Sequence, residues 1–551
     1  MLRYLIFYCS FGAFFATSMY VVSPGPLHPP TKGEVWPKAQ QEVKEDLFFE
    51  FDPTAYHVKV TSHSCTILTN AIHRYSSALL RLSELARSHR RRQNVSRRRR
   101  VVCAPDCGAS ADSNYLGALR ELRIQLTAPC ENYPHFDMDE QYELTVDLIS
   151  ELKSDSIWGI LRGLETSSQL FYLTDDGNDV VINKTHIVDS PRYPHRGLLL
   201  DTSRHYISVG NILLTLDGMA MNKMNVFHWH IVDDQSFPYV SEKFPNLSKY
   251  GAFHPTMVYT KADVQNIVNY ARDRGIRVVP EFDVPGHTRS WGAAYPSVLT
   301  PCYELDKEIG LGPMNPINDA TYELLRDLFR ELQGVFPDQY FHVGGDEVEL
   351  ACWASNMDLL QYMREHNMSS VAELHSLFME RAIPLLGRST PIVWQEVFDN
   401  GVPLSNDTIV QVWKDDYVQE MKELLAAGKR VLFSSAWYLD HLGDTWEQFY
   451  RSDPRTLVGA HSRAHRLVGG EACMWGEMVD DRNVISRVWP RASAVAERLW
   501  SDPEPGLEYI ARYGLPVPER AFRRIEEHAC RMARRGLAAE PPAGPGYCAL
   551  Y

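Results

Sequence analysis

Lys261-Ala-Asp-Val-Gln-Asn-Ile-Val-Asn-Tyr-Ala-Arg-Asp-Arg-Gly-Ile-Arg-Val-Val-Pro-Glu-Phe-Asp283 holds a helical segment, Lys261–Arg274, and then an apolar strand-like run, Ile276–Asp283, ending in carboxylates. The same alternation recurs on both sides. Strand-like runs read at Gly197–Ser203, Asn225–Asp233, Tyr340–Glu347, Pro391–Val397, Thr408–Lys414, Arg430–Tyr438 and Val468–Glu477. Helical segments between them include Asp319–Val335, Val371–Leu386 and Asp416–Ala427. Near-continuous apolar strands separated by helices belong to a parallel sheet buried on both faces. Eight such units in about 300 residues predict an α/β fold, a (β/α)8 TIM barrel, over 191–551 with a C-terminal extension. No internal repeat is visible, which excludes a solenoid.

Upstream the pattern is less regular. Residues 51–190 predict a smaller α+β domain, with strands at Val58–Val60 and Tyr142–Ile149 and helices at Cys65–Ala86 and Ile157–Leu173. Within it, 87–100 carries eight arginines and reads as a solvated loop, because like charges repel in a packed element. Arg97–Arg100 fits a processing site or a charged surface loop equally. Residues 23–50 are Pro-rich and polar and read as a leader or linker. Residues 1–22 place Arg3 before an uncharged apolar run, Tyr4–Val22, as in a secretory signal peptide or signal anchor.

Composition narrows the function classes. The chain has 551 residues, 44% hydrophobic and 23% charged, with a net charge of −14. That is a globular protein with a core, and its acidity argues against a nucleic-acid-binding body. Five Asn-x-Ser/Thr sequons, at Asn94, Asn183, Asn246, Asn367 and Asn406, suit glycosylation on a secretory route. Nine cysteines lie beyond the leader in a pattern unlike a zinc site, so disulfides are expected, with pairing left open by spacing alone.

Polar residues fall where a barrel would use them. Seven predicted strands end in Asp, Glu, Arg, His or Trp: near Asp201 and Arg204, at His228–Asp234, at Glu281–His287, at Asp346-Glu347, at Trp394–Glu396, at Trp437–Asp440 and at Trp475–Glu477. Barrel enzymes gather catalytic groups at these C-terminal ends. Tryptophan faces stack on sugar rings, and carboxylates with arginine grip hydroxyls. The rim has no serine elbow and no phosphate-cradling loop, so glycoside hydrolysis is the expected chemistry. His228, His230, Asp233 and His287 are also metal-ligand types, but they lack a diagnostic spacing; neither metal nor cofactor is expected. Asp346-Glu347 is the sharpest pair. Adjacent carboxylates hold a proton tightly, which suits a general acid, although an Asp N-cap followed by a first-turn Glu reads the same way.

The motifs resemble those of family 20 glycoside hydrolases, the β-N-acetylhexosaminidases, in their animal lysosomal form. His342-Val-Gly-Gly-Asp-Glu-Val-Glu349 is similar to that family's catalytic signature. Arg196–His205, Asn225–Asp234, Glu281–Thr288, Gly469–Glu477 and Trp158–Thr166 match as well. The resemblance implies an exo-acting, retaining, substrate-assisted hydrolysis of terminal β-linked N-acetylglucosamine or N-acetylgalactosamine. It implies Glu347 as general acid and base, Asp346 orienting the acetamide, and His287 with Asp233 supporting Glu347. Arg204, Trp394, Trp413, Tyr438, Asp440, Trp475 and Glu477 would bind substrate. It implies the disulfides Cys65–Cys130, Cys302–Cys352 and Cys530–Cys548, with Cys473 a free buried thiol; Cys103 and Cys107 could pair with each other. It also implies a homo- or heterodimer, a lysosomal or secreted location, and a lipid-presenting activator as a partner for glycolipid substrates. Tyr438-Leu-Asp440-His441 is nearer the family's β-type Asp-Leu than its α-type Asn-Arg, which implies a preference for neutral sugars. Two alternatives stand against this reading: a glycosidase with its own carboxylate nucleophile, and a non-catalytic glycan-binding protein on the same scaffold.

Overall fold

A computed structural model describes residues 31–97, 112–503, 506, 510, 514–542 and 548. The expected signal segment, Arg98–Arg100 and the Cys103 and Cys107 pair lie outside these residues. The N-terminal part is a mixed sheet under two helices. Its strands are β1 (Gln41–Glu50), β2 (His57–Val60), β3 (Tyr115–Ala118), β4 (Glu121–Leu126), β5 (Tyr142–Val146), β6 (Ile149–Ser154), β7 (Tyr172–Leu173) and β8 (Val180–Asp189). They run in the order β2-β4-β6-β5-β8-β1-β3, with β7 on β8. Helices α1 (Thr66–Arg97) and α2 (Ile157–Gln169) pack together, and α2 lies on β5 and β6.

Three expectations for this part are corrected. From residue 31 on, the stretch read as a leader is built into the fold: Trp36 is fully buried and β1 pairs with both β8 and β3. Most residues of β1 are partly exposed, so a polar sequence suffices for it. The stretch read as an arginine loop continues α1 as helix to Arg97. Arg87, Arg90, Arg91 and Arg92 are exposed, where water and salt screen their repulsion. Arg90 pairs with Asp179. The predicted strand Tyr142–Ile149 is two elements, because Asp147 and Leu148 turn the chain from β5 into β6.

The eight predicted runs from residue 197 onward form a closed parallel barrel. Its strands are β9 (His195–Asp201), β10 (Val226–Val232), β11 (Arg277–Phe282), β14 (Tyr340–His342), β15 (Thr390–Trp394), β16 (Ile409–Val412), β17 (Arg430–Phe433) and β18 (Leu467–Met474). A hairpin, β12 (Leu299–Glu304) with β13 (Lys307–Met314), stands outside it. Nearly every barrel-strand residue is buried, since one face meets the outer helices and the other the interior.

The interior is layered. The lower layer is apolar, from Val226, Val279, Tyr340, Ile392, Ile409, Leu432 and Val468, and Phe136 of the N-terminal part packs against it. The middle layer is polar: His228, Glu281, His342, Gln411 and Glu471 are all buried. Gly197 lies opposite Glu471 on the paired strand, and a Cβ there would come within 2.4 Å of the glutamate. The top layer groups Leu199, Trp394, Tyr438 and Cys473, with Trp413 and Trp475 packed against it.

Disulfides join Cys65 to Cys130, Cys302 to Cys352 and Cys530 to Cys548, and Cys473 is a buried free thiol, all as the resemblance implied. Such bonds belong to an oxidising, secretory-route compartment. Among the described residues no helix is long and apolar enough to cross a membrane. Asn246, Asn367 and Asn406 are exposed. Asn183 is not: it is buried in β8, its amide donates to the Glu45 carbonyl at 2.8 Å and its oxygen accepts from Tyr172 at 2.7 Å, which leaves no space for a glycan. Side-chain detail at Asn94 lies outside the description.

Candidate active site

The site is built where the strands stop. β14 ends at His342, and the next five residues include three in left-handed backbone: Gly344 (φ 65°), Gly345 (φ 97°) and Glu347 (φ 46°). A Cβ on Gly344 would stand 1.7 Å from Asp283 Oδ1, so this approach excludes any other residue. The turn presents both carboxylates of the pair. Asp346 is buried and Glu347 is 58% exposed. A left-handed glutamate carries backbone strain of the kind that collects at functional sites. The N-cap alternative fails, because no helix follows until Leu350 and its cap is Glu349.

His287, also left-handed (φ 55°), stands between these carboxylates and Asp233. Its Nδ1 lies 3.2 Å from Asp233 Oδ1, and its Nε2 lies 3.6 Å from both Asp346 Oδ2 and Glu347 Oε2. Burial opposes a charge on His287, but the Asp346 and Asp233 carboxylates push it up to about 9. Asp233 would be raised by burial; bonds from His230 and His287 instead hold it well below the usual carboxylate range. Asp283, behind the pair, is shifted well above that range by burial and by facing Asp346, and it accepts the Gly345 N–H at 2.8 Å. A protonated Asp283 can share its proton with Asp346.

The binding groups converge on the same rim. Arg204 is clamped by Asp201 and Asp233, each at 2.9 Å, with Glu477 at 4.0 Å. Its guanidinium lies 5.0 Å over the Trp475 ring. Trp394 donates to Glu281 at 2.8 Å, and Trp413 donates to Glu396 at 3.0 Å. Trp413 stacks near Tyr438 at 6.2 Å, while Trp475 lies 5.9 Å from Trp394 and 6.5 Å from Tyr438. These four rings make an apolar slot. A cleft of about 200 Å³, lined by Asp234, His287, Arg289 and Glu347 among others, opens beside Glu347. Arg289 pairs with Asp234 and Glu349 across it. Asp440 is half-buried with Oδ1 unpartnered, and His441 lies 3.6 Å from Asp444. Arg204 Nε and His287 Nε2 are likewise buried without a hydrogen-bond partner, so several polar atoms are available to a polyhydroxylated ligand.

All eleven predicted catalytic and binding residues lie on this rim. Of the residues that hold them, Asp201, His230, Glu281, Asp283 and Glu396 stood among the polar strand ends with no supporting role assigned, and Glu471 lay unremarked inside a matching motif. The period-2 placement of His228 and His230 on one strand was the signal that both point into the barrel. His228, Glu281 and His342 come close enough to hold an ion, as do two other acidic groups on the rim. The first set spends its polar atoms on one another and on neighbours, as ordinary hydrogen-bonded core groups do.

Comparison with known proteins agrees with this geometry. Residues 193–503 match the catalytic domain of glycosyl hydrolase family 20, and 35–170 match a beta-acetyl hexosaminidase-like domain. The chain is 40% identical over 546 residues to beta-hexosaminidase subunit beta of Mus musculus, covering 96% of this chain and 95% of that one. It is 45% identical over 435 residues to subunit alpha of Rattus norvegicus, covering 77% and 80%. The structure of the Flavobacterium johnsoniae chitobiase superposes with a TM-score of 0.74 at 28% identity, over 92% of this chain and 74% of that one. The chain belongs to glycosyl hydrolase family 20.

Proposed function

From that membership we propose that this glycoside hydrolase is an exo-acting β-N-acetylhexosaminidase that works by substrate assistance. The observation that carries the reading is the pairing of Asp346 and Glu347 on one turn, both 3.6 Å from His287, beside the slot of Trp394, Trp413, Tyr438 and Trp475. A terminal N-acetylhexosamine sits with its acetamide in the slot. Asp346 accepts the acetamide N–H, and the Tyr438 hydroxyl donates to its oxygen. That oxygen attacks the anomeric carbon as the glycosidic bond breaks, and Glu347 delivers its proton to the leaving oxygen. The positive charge of the cyclised intermediate develops beside Asp346, where a fixed carboxylate stabilises it. Water then attacks from the vacated side and gives its proton to Glu347. Two inversions return the original configuration. Arg204 and Glu477 hold ring hydroxyls, and Asp440 meets the 6-position, which favours neutral sugars.

The relatives are named as alpha and beta subunits, which supports assembly as a homo- or heterodimer. The disulfides support a secretory route ending in the lysosome or outside the cell, with Asn246, Asn367 and Asn406 glycosylated. A lipid-presenting activator would serve glycolipid substrates.

Glu347→Gln tests the assignment, since it keeps shape and removes the transferable proton. Turnover of substrates with poor leaving groups should fall by roughly 10²–10⁴-fold, and activated aryl glycosides should suffer less. A thiazoline mimic of the cyclised intermediate should bind far more tightly than N-acetylglucosamine. Small, equal losses on both substrate types, or equal affinity for mimic and product, would overturn the reading.

A further inference from the structure

Below the rim, the barrel interior holds an unbroken chain of imidazoles and carboxylates. His195 Nε2 meets Glu471 Oε1 at 2.6 Å, and Glu471 Oε2 meets His228 Nδ1 at 2.8 Å. His228 Nε2 meets Glu281 Oε2 at 3.0 Å, and the same oxygen meets His230 Nδ1 at 2.5 Å. His230 Nε2 meets Asp233 Oδ2 at 3.0 Å, and Asp233 reaches His287. Strand register makes this possible: His230 lies opposite Glu281, and Glu281 opposite His342, on neighbouring strands.

A carboxylate only accepts hydrogen bonds, so an imidazole held between two of them must carry both ring protons. His228 and His230 are each so held, and they are therefore cations inside the barrel. Burial works against both charges. Glu471 and Glu281 nonetheless push His228 up to about 9, and Glu281 and Asp233 push His230 up to about 10. The other charged or titratable groups facing this segment are Asp201 from β9, Arg204 beside Asp233, Arg277 of β11, Asp283 after β11, His342 from β14 and Cys473 of β18.

Glu281 also reaches out of this chain toward the acetamide slot. Its other oxygen, Oε1, accepts the Trp394 indole N–H at 2.8 Å, and Trp394 walls the slot. One buried side chain thus touches the acid side of the site through His230 and Asp233, and the acetamide side through Trp394. We propose that Glu281 is a positioning residue for the hydrolysis, which by holding His230 as a cation and Trp394 in place fixes the general-acid assembly and the acetamide slot in one register. This rests on the family 20 reading of Glu347 and Trp394, and reaches the site only through other residues.

The test is Glu281→Gln in the full chain, which keeps volume and removes the charge. Cleavage of substrates with poor leaving groups should fall on the order of 10–100-fold, and affinity for the thiazoline mimic should fall with it. With the Glu281 carboxylate gone, the charge that Glu347 feels through His230, Asp233 and His287 changes, so the alkaline limb of the pH–rate profile, which the general acid Glu347 sets, should shift from its wild-type position. Loss of thermal stability with an unchanged profile, and unchanged kcat per thiazoline-titrated site, would mean a structural role only and would overturn the proposal. If the variant does not fold, the wild-type enzyme decides: labelled with ¹⁵N-histidine, its His230 ring should show two N–H resonances across the active pH range, and a single one overturns the proposal. Glu347→Gln and the thiazoline comparison on wild-type protein report the underlying mechanism separately, so the two failures are distinguishable.

Discussion

At Asp440 the structure turns a family difference into a physical expectation. The carboxyl is half-buried, lacks a partner at Oδ1, and is raised above the usual range by desolvation, with His441 and Glu477 among its charged neighbours. A sulfate on the sugar 6-position would face it in a partly dry pocket, where like charges repel strongly. Asp440→Asn should therefore raise activity on a 6-sulfated N-acetylglucosaminide and lower neutral activity modestly. The raised carboxyl gains charge as pH climbs, so wild-type discrimination against the sulfate should sharpen with rising pH, while the variant's stays flat. Wild-type cleavage of sulfated and neutral substrates at equal rates would contradict the assignment. His441 lies near Asp444 rather than in contact with Asp440, and this leaves the carboxylate as the dominant charge there.

Among the elements, the barrel was legible because hydrophobic pattern and pairing coincide: every predicted run overlaps an observed strand. The ends were less legible. Tyr340–Glu347 was read as one strand and stops at His342; Arg430–Tyr438 stops at Phe433. Burial continues past the last ladder hydrogen bond, and apolar composition reports burial, not pairing. That overrun is where the site lies, so the sequence marked its residues while misjudging their backbone. Elsewhere the misreadings share one cause. The polar strand β1, the arginines at the end of α1 and the sequon at Asn183 were judged from residue type, whereas exposure decided each of them. The left-handed turn 344–347 supplies a sharp test. Gly344→Ala meets two obstacles, a left-handed φ worth about 1–2 kcal/mol and a methyl placed on Asp283. It should reduce kcat/KM by at least about 10²-fold by displacing Asp346 and Glu347. Gly334→Ala, in the helix Asp319–Val335 with open space at its Cβ, should instead be neutral or raise the melting temperature. Equal outcomes for the two variants would refute this account of the turn.

The molecule as a whole is joined through buried charge. Glu140 lies between Arg162 and Arg196 at 2.8 and 2.6 Å, Lys223 meets Asp189 at 2.8 Å, and Glu497 meets Arg524 at 2.6 Å. Trp36 packs in the barrel core and Trp500 in the N-terminal core, so each part carries an aromatic plug of the other. Buried pairs of this kind make stability depend on pH. Glu471 and Asp233 are held well below the usual carboxylate range, each by neighbouring histidines that outweigh its burial; they stabilise the fold at and above ordinary carboxylate values, and their contribution is lost only in acid. His375 and His528, buried and shifted down by desolvation, also penalise acid, because unfolding lets them take up protons. Glu420 and Glu526, pushed up to about 7 by burial, act oppositely and lose stabilisation as pH rises from about 4.5 to 7. These effects oppose one another below neutrality and predict a broad plateau there. Above neutrality the raised histidines lead the balance. His228 and His287, at about 9, and His230, at about 10, stabilise the fold fully below the ordinary histidine value and lose that contribution as pH climbs through their raised ones. Among the described residues Lys223 and Lys429, both shifted down by burial, act the other way, and Arg531, brought down to about 10 by burial, does so only at the top of this range. The melting temperature should therefore fall steadily between pH 7 and pH 9.5, measured by calorimetry at fixed ionic strength. A melting temperature that holds level or rises over that interval would show that the imidazoles in the barrel are neutral, and that the chain beneath the catalytic rim is not built from charge.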